Sequence, residues 1–326
     1  MKNKILILLP DGVGLKNFVF SQIPELLNKK GIALTYWNTT PFDFSMVDLK
    51  AIQLKGKPNP KSDLYKRARK IIEINHSITR TGNLDYSLYL FKPSSKTIKQ
   101  KLKNIIERYF VIKYKSNLEG LRAKIKRTEA RTAYYKTCLN QLKTERPNVL
   151  VISNQRPLNA VAPVEAAKKL DIPTVSLIFS WDNLPKATMV VETDYYMVWS
   201  VYMKRELLAY YPYIDENEIF IVGTPQFEIH YDVNHLMSKG SFFDKYNLDS
   251  SKEYICFSGD DITTSPHDQI YLRNIAEAVR KINDQNLYHK KIGIIFRPCP
   301  VDFSNRFDKV LFDHNSEIKL IRPEWK

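Results

Sequence analysis

The sequence predicts an α/β protein built on parallel β-sheets. Three short apolar runs, Thr174–Phe179, Tyr195–Trp199 and Ile219–Val222, each stop at polar or turn-forming residues. A helical stretch rich in Lys, Glu and Leu, Tyr202–Tyr211, separates the second run from the third. Continuous apolar strands joined through a helix are typical of parallel sheets, because both faces of such a sheet are covered.

The same alternation opens the chain and predicts a Rossmann-like first domain, residues 1–245. Its predicted elements are, in order, a strand at Ile5–Leu9, a helix at Phe18–Lys30 kinked by Pro24, strands at Ala33–Trp37 and Val149–Ser153, and a helix at Ala160–Leu170. A polar, mostly helical stretch without a strand pattern, at about 55–147, interrupts this alternation. We interpret it as an insertion on the acceptor side.

A polar, turn-rich segment predicts a boundary near residue 245 and a second Rossmann-like unit, residues 246–326. The predicted elements of this unit are a strand at Tyr254–Phe257, a helix at Gln269–Asn286, a strand at Ile292–Phe296 and a third strand at Ile318–Ile321. A doubly wound domain needs five or six strands. We therefore expect this second domain to be incomplete.

Length and composition fit a globular protein of about two domains, with 326 residues. No apolar run approaches the ~20 residues that span a bilayer, and Ile5–Leu9 reads as a strand rather than a signal-peptide core. A cytoplasmic location is the expectation. The three cysteines, Cys138, Cys256 and Cys299, are odd in number and widely spaced, so we expect buried thiols rather than disulfides or a metal site.

The net charge of +15 is concentrated in one segment. Between Lys96 and Lys136 there are thirteen Lys or Arg residues against three Glu. The residues Ile98, Leu102, Ile105, Ile106 and Tyr109 recur at helical spacing, which predicts amphipathic helices with the basic residues on their exposed sides. Such a surface suits anionic lipid headgroups, although a merely solvated helical face explains it equally well. No recognised nucleic-acid motif accompanies the charge, so nucleic acid is not expected as a partner.

Three loops at predicted strand ends carry candidate chemistry, because ligands bind at the carboxyl ends of parallel strands. In the first, Asp11-Gly12-Val13-Gly14, the carboxylate of Asp11 either takes a proton from an acceptor hydroxyl or only forms the turn. A dinucleotide fingerprint is weak there, since Asn17 stands where a third small residue is needed. The other two loops are Ser180-Trp181-Asp182-Asn183 and Gly223-Thr224-Pro225-Gln226.

These motifs together resemble bacterial surface-carbohydrate UDP-glycosyltransferases of the two-domain GT-B type. The similar segments are, in order, ILILLPDGVGLKNFVFS, NQRPLNAVAP, SWDN, VETDYYMVWS, KREL, VGTPQFE, YICFSGDDITTSP and IIFRPCPVDFS. The resemblance implies a UDP-sugar donor bound by the second domain, an acceptor bound by the first, and no metal or other cofactor. The six histidines show no metal-ligand spacing either.

Candidate site residues follow from the loops and the resemblance. Asp11 and Asp182 are the candidate catalytic carboxylates. The candidate acceptor and cleft residues are Gly12, Gly14, Asn154, Arg156, Ser180, Trp181 and Asn183. Trp181 and Asp182 suit sugar or lipid-phosphate recognition, or alternatively pack and cap the turn. The candidate donor and phosphate residues are Gly223, Thr224, Gln226, Ser258, Gly259, Asp260, Asp261 and Arg297, the last because a guanidinium binds phosphate oxygens in pairs.

The sequence thus predicts transfer of a sugar from a UDP-sugar to a surface-polysaccharide or glycolipid acceptor at the inner membrane face. Two alternatives remain open at this point. One is a CDP-polyol phosphotransferase or sugar-nucleotide epimerase on the same scaffold. The other is a non-catalytic, truncated remnant or binding protein that keeps the acceptor half.

Overall fold

The computed structural model describes residues 3–90, 95–233 and 236–324. The chain forms two compact units that divide between residues 231 and 232. The boundary predicted at 245/246 falls at the last residue of a helix, Lys239–Tyr246, which belongs to the second unit. Each unit contains its own parallel sheet.

The first unit is built on a seven-stranded parallel sheet in the order β3-β2-β1-β4-β5-β6-β7. The strands are β1 Lys4–Leu9, β2 Ala33–Asn38, β3 Ala51–Gln53, β4 Val149–Ile152, β5 Thr174–Leu177, β6 Tyr195–Val198 and β7 Ile219–Ile221. In β1, Ile5 pairs with Leu34 on one side and with Val149 on the other. Because every strand runs the same way, all seven carboxyl ends lie at one edge of the sheet.

The part of the first unit that the structure describes has seven α-helices besides this sheet. They are α1 Ile23–Lys29, α2 Pro60–Thr81, α3 Ile98–Tyr114, α4 Leu118–Glu129, α5 Ala133–Glu145, α6 Val161–Lys169 and α7 Val201–Tyr210. The four helices α2 to α5 lie between β3 and β4, which confirms the mostly helical insertion. Helix α2 begins where Asn59 accepts from the Lys61 amide and ends at Gly82 with φ of 69°, as its cap residues favour.

The first unit differs from the prediction in one helix and one strand. The single helix predicted at Phe18–Lys30 is a π-helical turn, Leu15–Val19, followed by α1. Pro24 lies in the first turn of α1, where its missing N–H costs nothing, so it starts a new helix instead of kinking an old one. The short strand β3 was not predicted.

Helix α3 also presents an unexpected face. Its buried side carries Phe110, Val111 and Tyr114, which pack on the core, with Phe110 against Tyr65 at 4.7 Å between ring centroids. The residues whose spacing predicted the buried side, apart from Ile106, are exposed instead. The helical periodicity was right, but the side that faces the core is the one with Phe110, Val111 and Tyr114.

A buried ionic network joins the insertion to the sheet. The Glu192 carboxylate, before β6, accepts from Arg69 of α2 at 3.0 Å and from Arg122 of α4 at 2.7 Å, and pairs with Lys126 at 2.5 Å. Arg69 also donates to Glu73 at 2.7 Å. Burial acts to raise the pKa of Glu192, but these cations outweigh it and hold the pKa at about 2.

The second unit has a three-stranded parallel sheet in the order β10-β9-β8. Its elements are α8 Lys239–Tyr246, β8 Glu253–Ser258, α9 Asp268–Asp284, β9 Ile292–Arg297, α10 Asp308–Asp313 and β10 Ile318–Leu320. Leu272 and Ala276 of α9 pack on Ile294 and Phe296 of β9 to form its core. All three predicted strands and the helix at Gln269–Asn286 are confirmed, whereas α8 and α10 were not predicted.

The cysteines differ in exposure. Cys138 is buried, and burial raises the pKa of its thiol, but Cys256 is exposed and Cys299 is partly so. The expectation of buried thiols is therefore wrong for Cys256, which lies on the edge strand β8. Within the described residues, none of the helices combines the length and apolarity needed to cross a membrane.

Candidate functional site

The carboxyl ends of β1 and β4 meet through a pair of polar side chains. Asn154, fully buried after β4, donates from Nδ2 to Oδ2 of Asp11 at 2.5 Å. Oδ1 of Asp11 accepts from the Val13 amide at 3.1 Å, and Oδ1 of Asn154 accepts from the Arg156 amide at 3.1 Å. Asn154 therefore fixes the position of Asp11 and the start of the loop that carries Arg156.

Neighbouring side chains leave no room for a Cβ at one of the two loop glycines. A Cβ on Gly14 would lie 2.3 Å from Oγ of Ser153 and 2.8 Å from Cδ2 of Leu9. A Cβ on Gly12 would meet nothing within 4 Å. Gly14 thus allows the chain after β1 to lie against the end of β4, and Gly12 stays at the open mouth of the loop.

Asp11 opens onto a cavity of about 400 Å³ with a basic lining. The charged residues that line it are Asp11, Asp63, Lys66, Arg67, Lys70 and Arg156. Burial lowers the pKa of Lys66 and of Lys70. Arg67 pairs with Asp63 at 3.0 Å, while Asp11 forms no salt bridge within the described residues. The cavity therefore suits an anionic ligand and keeps one carboxylate available to it.

The guanidinium of Arg156 interacts electrostatically with both candidate carboxylates. Burial lowers the pKa of Arg156, and the charges of Asp11 and Asp182 act against that shift. Its guanidinium lies over the ring of Phe179 at 4.2 Å, and its buried Nε has no hydrogen-bond partner among the described residues. A guanidinium placed in this way has donors left for a ligand.

The loop after β5 is held by its own side chains. Oδ1 of Asp182 accepts from Ser180 at 2.5 Å and from Nδ2 of Asn183 at 2.9 Å, and Oδ2 pairs with Lys186. Burial acts to raise the pKa of Asp182, but the hydrogen bonds from Lys186 and Ser180 outweigh it, so the pKa is lowered.

Asn183 connects this loop to the neighbouring one, since its Oδ1 accepts from Nε2 of Gln155 at 3.0 Å. Trp181 is 65% exposed and packs little of its ring. The arrangement makes Asp182 and Asn183 the frame of the loop and leaves Trp181 open to a ligand. A catalytic role for Asp182 stays a prediction.

The loop after β7 starts at Gly223, whose φ of 71° favours glycine. Thr224 accepts from the Gln226 amide at 3.2 Å. Further along, Oε2 of Glu228 accepts from the Gln22 amide at 3.0 Å. This segment therefore runs from the edge strand β7 back to the region that follows β1, within the first unit.

In the second unit, Ser258 ends β8 and Gly259 to Asp261 form the following loop. Asp268 accepts from the Asp260 amide at 2.7 Å, and the Asp261 carboxylate accepts from the amides of Thr263 and Thr264. The hydroxyl groups of Thr263 and Thr264 also donate to this carboxylate, and these hydroxyl bonds, together with the amide bonds, lower the pKa of Asp261. Arg297, exposed at the end of β9, pairs with no carboxylate among the described residues.

Sequence reasoning missed the residue that holds this loop. Arg306 donates to the carbonyl oxygens of Ser265 and Asp260, each at 2.5 Å, and pairs at 2.7 Å with Asp302, a residue of intermediate exposure. It also missed Lys66 and Lys70, which line the cavity in the first unit. The i, i+4 spacing of these two lysines puts them on one side of a helix, but nothing local shows that this side meets β1 and β4.

The comparisons bear on the fold. No family model matches the chain, and no curated protein matches it. A solved UDP-GlcNAc 2-epimerase from Neisseria meningitidis, bound to UDP-GlcNAc, has a TM-score of 0.53 at 10% identity, covering 100% of this chain and 73% of its own. A candidate UDP-N-acetylglucosamine 2-epimerase from Listeria monocytogenes has the same TM-score at 10% identity, covering 99% and 70%. The fold is of the GT-B type.

A glycosyltransferase solved in complex with dTDP is less similar, with a TM-score of 0.42 at 10% identity over 98% of this chain and 71% of its own. At such identities the likeness concerns the fold alone. The GT-B fold and the α/β class predicted from the sequence are confirmed, and the chemistry has to be argued from the site.

Proposed function

We propose that this protein is a sugar-nucleotide enzyme that transfers a glycosyl group from a UDP-sugar to an acceptor hydroxyl. The observation that carries the proposal is Asp11 at the mouth of a basic cavity, a carboxylate that is fixed by Asn154 and forms no salt bridge with any described residue. A carboxylate in this position can act as a general base toward a hydroxyl group. The GT-B fold supports the choice of a sugar nucleotide as the donor.

In the proposed reaction the acceptor oxygen forms a bond to the anomeric carbon of the sugar. The bond from that carbon to the β-phosphate oxygen breaks, and its electron pair leaves with UDP. The proton of the acceptor hydroxyl passes to Asp11. The cavity is lined by cations that stabilise a negatively charged group bound there, namely Lys66, Lys70 and Arg156. This lining favours an acceptor that carries a phosphate or a carboxylate.

We assign donor binding to the second unit, where the loop from Ser258 to Asp261 follows a strand. Arg306 fixes the backbone of this loop, and exposed Arg297 offers a guanidinium to a diphosphate. By the same proposal, the acceptor is a surface-polysaccharide or glycolipid precursor and the protein acts in the cytoplasm. No metal takes part in the proposed chemistry.

One observation favours a second candidate, a sugar-nucleotide epimerase. Asp63 lines the same cavity as Asp11, so two carboxylates are present. An epimerase needs one group to remove a proton from a sugar carbon and another to return a proton to the opposite face. Arg67 pairs with Asp63 at 3.0 Å, so an oxygen of that carboxylate is already engaged, and we therefore prefer glycosyl transfer.

The test is product analysis with a panel of UDP-sugars in deuterated water, with and without carbohydrate acceptors. Glycosyl transfer predicts release of UDP that depends on the acceptor, and a product heavier by one sugar. An isomeric UDP-sugar that carries deuterium at the inverted carbon would establish the epimerase instead. Asp63→Asn is the matched variant: it should leave transfer largely intact but abolish epimerisation.

A further inference from the structure

Helix α3 exposes an apolar stripe that the described residues of the first unit leave uncovered. Its residues are 86%, 57%, 64%, 55% and 69% exposed and are, in order, Ile98, Leu102, Ile105, Tyr109 and Ile112. They alternate at spacings of four and three, so they lie on one narrow face over four turns of the helix. Exposed apolar residues scattered singly are ordinary, but a continuous stripe of five marks an interaction surface.

The opposite face of α3 is already occupied. Phe110, Val111 and Tyr114 pack on the core of the first unit, and Glu107 is buried on the same side. Burial raises the pKa of Glu107. Since this face anchors the helix, the apolar stripe is held outward rather than being a misplaced core face.

Basic residues border the stripe on both sides. At 100° per residue, Lys99 and Lys113 lie along one side of it, and Lys101 and Arg108 lie along the other. All four are exposed. An apolar centre with cationic borders is the pattern of a helix that lies in the interface of an anionic bilayer, with its apolar residues among the acyl chains and its cations at the headgroups.

We propose that α3 docks this protein on an anionic lipid surface through the apolar stripe. Charge decides against the other simple occupant, a second copy of the chain. Spacings of four and three would also suit the packing of α3 against α3 of a second copy. Such a pair, however, would bring the basic residues that border the stripe, Lys99, Lys101 and Arg108, close to the same positive charges of the other copy. A bilayer carrying phosphatidylglycerol offers the opposite charge instead.

The inference extends the proposed function by naming where the acceptor side meets lipid, but it rests on the exposed stripe alone. Its test therefore uses no substrate. Co-sedimentation of the full chain with phosphatidylcholine vesicles, with and without phosphatidylglycerol, measures the affinity directly. We expect binding to the anionic vesicles only, weakening as salt is raised.

Two double variants separate the apolar from the ionic contribution. Leu102→Ser with Ile105→Ser should weaken binding more than tenfold, since each buried CH₂ contributes about 0.8 kcal/mol. Lys99→Gln with Lys101→Gln should weaken it about 25-fold, from about 1 kcal/mol for each cation. All four positions are exposed, so the fold is expected to survive.

Matched controls carry the same changes elsewhere. Leu287→Ser with Ile262→Ser removes two exposed apolar side chains of the second unit, and Lys55→Gln with Lys57→Gln removes two exposed cations outside α3. Both should bind as the unmodified protein does. Equal binding by the α3 variants and the controls would overturn the proposal. A dimer in sedimentation velocity that dissociates on Ile105→Ser would overturn it too, in favour of a second copy.

Discussion

The side-chain amide of Asn154 and the carboxylate of Asp11 lie 2.5 Å apart and join the ends of two neighbouring strands of the first sheet. Asn154 is fully buried, so this hydrogen bond is shielded from water. The bond fixes the orientation of the Asp11 carboxylate, and therefore also the direction of its remaining lone pairs. In the proposed mechanism, a carboxylate held in this way needs no rearrangement before it accepts a proton.

Replacing Asn154 by Asp should alter the pH dependence of the reaction. The substitution keeps the shape but puts a second carboxylate beside Asp11, and repulsion between like charges raises the pKa of the pair. We expect the acidic limb of the pH–rate profile to move to higher pH. An unchanged pH–rate profile in a correctly folded variant would show that Asp11 does not take part in the proton transfer.

Gly14→Ala should destabilise the first unit by about 1–3 kcal/mol, because the added Cβ would lie 2.3 Å from Oγ of Ser153. Gly12→Ala is the matched control and should change stability by no more than about 0.5 kcal/mol, since nothing lies within 4 Å of its Cβ. Denaturant unfolding measures both. Equal stabilities of the two variants would contradict the close packing of the loop against β4.

Glu192→Gln should reduce the free energy of unfolding by about 3–5 kcal/mol, because it removes the carboxylate that buried Arg69 shares with Arg122 and Lys126. Arg69 keeps its pair with Glu73, but the network then has one negative charge fewer for the same cations. Arg69 is only 2% exposed and cannot reach water without local opening. The exposed Glu119→Gln is the control, with a change of no more than about 0.5 kcal/mol. A small loss of stability in Glu192→Gln would mean that the attraction between the charges of the network barely exceeds the cost of removing them from water.

The same carboxylate predicts acid sensitivity. The folded pKa of Glu192 is about 2, below the ordinary value of 4.5. Its contribution is therefore complete above pH 4.5 and is lost as the pH falls toward 2. Unfolding curves measured across this range should show a decline that Glu192→Gln removes. An identical pH dependence in the two proteins would contradict the lowered pKa.

Arg306→Gln should loosen the loop after β8, because it removes the fork that donates to the carbonyls of Asp260 and Ser265. Hydrogen exchange of the backbone amides of residues 260–268 should become faster, while that of the β9 core stays slow. Lys309→Gln, an exposed change on α10, serves as the control. Unaltered exchange in the loop would show that Arg306 is not what holds it.

Most of the fold was predictable because its signals are local. The apolar runs that became β1, β4, β5, β6 and β9 end at residues that cannot continue a buried strand, and their order along the chain fixes a parallel arrangement. β3 is only three residues long, Ala51–Gln53, and exists because it pairs with β2. Such a strand has too little pattern of its own to be predicted.

The site was predictable only in part, for the same reason. Asp11, Asn154 and Arg156 follow strands, so their common location follows from sheet topology. Lys66, Lys70 and Arg306 lie on helices or loops whose placement depends on long-range packing. The outward face of α3 was also missed, since Phe110 and Tyr114 compete with the apolar stripe for the core and periodicity does not decide which side wins.

The most direct test of the proposed chemistry is the turnover number of Asp11→Asn with a UDP-sugar and an acceptor that the unmodified protein uses. The variant keeps the shape of the side chain and its bond to the Val13 amide, but it removes the base. We predict a loss of about 10²–10⁴-fold in kcat with UDP affinity retained. A kcat close to that of the unmodified protein would contradict the assignment of Asp11 and, with it, the proposed mechanism.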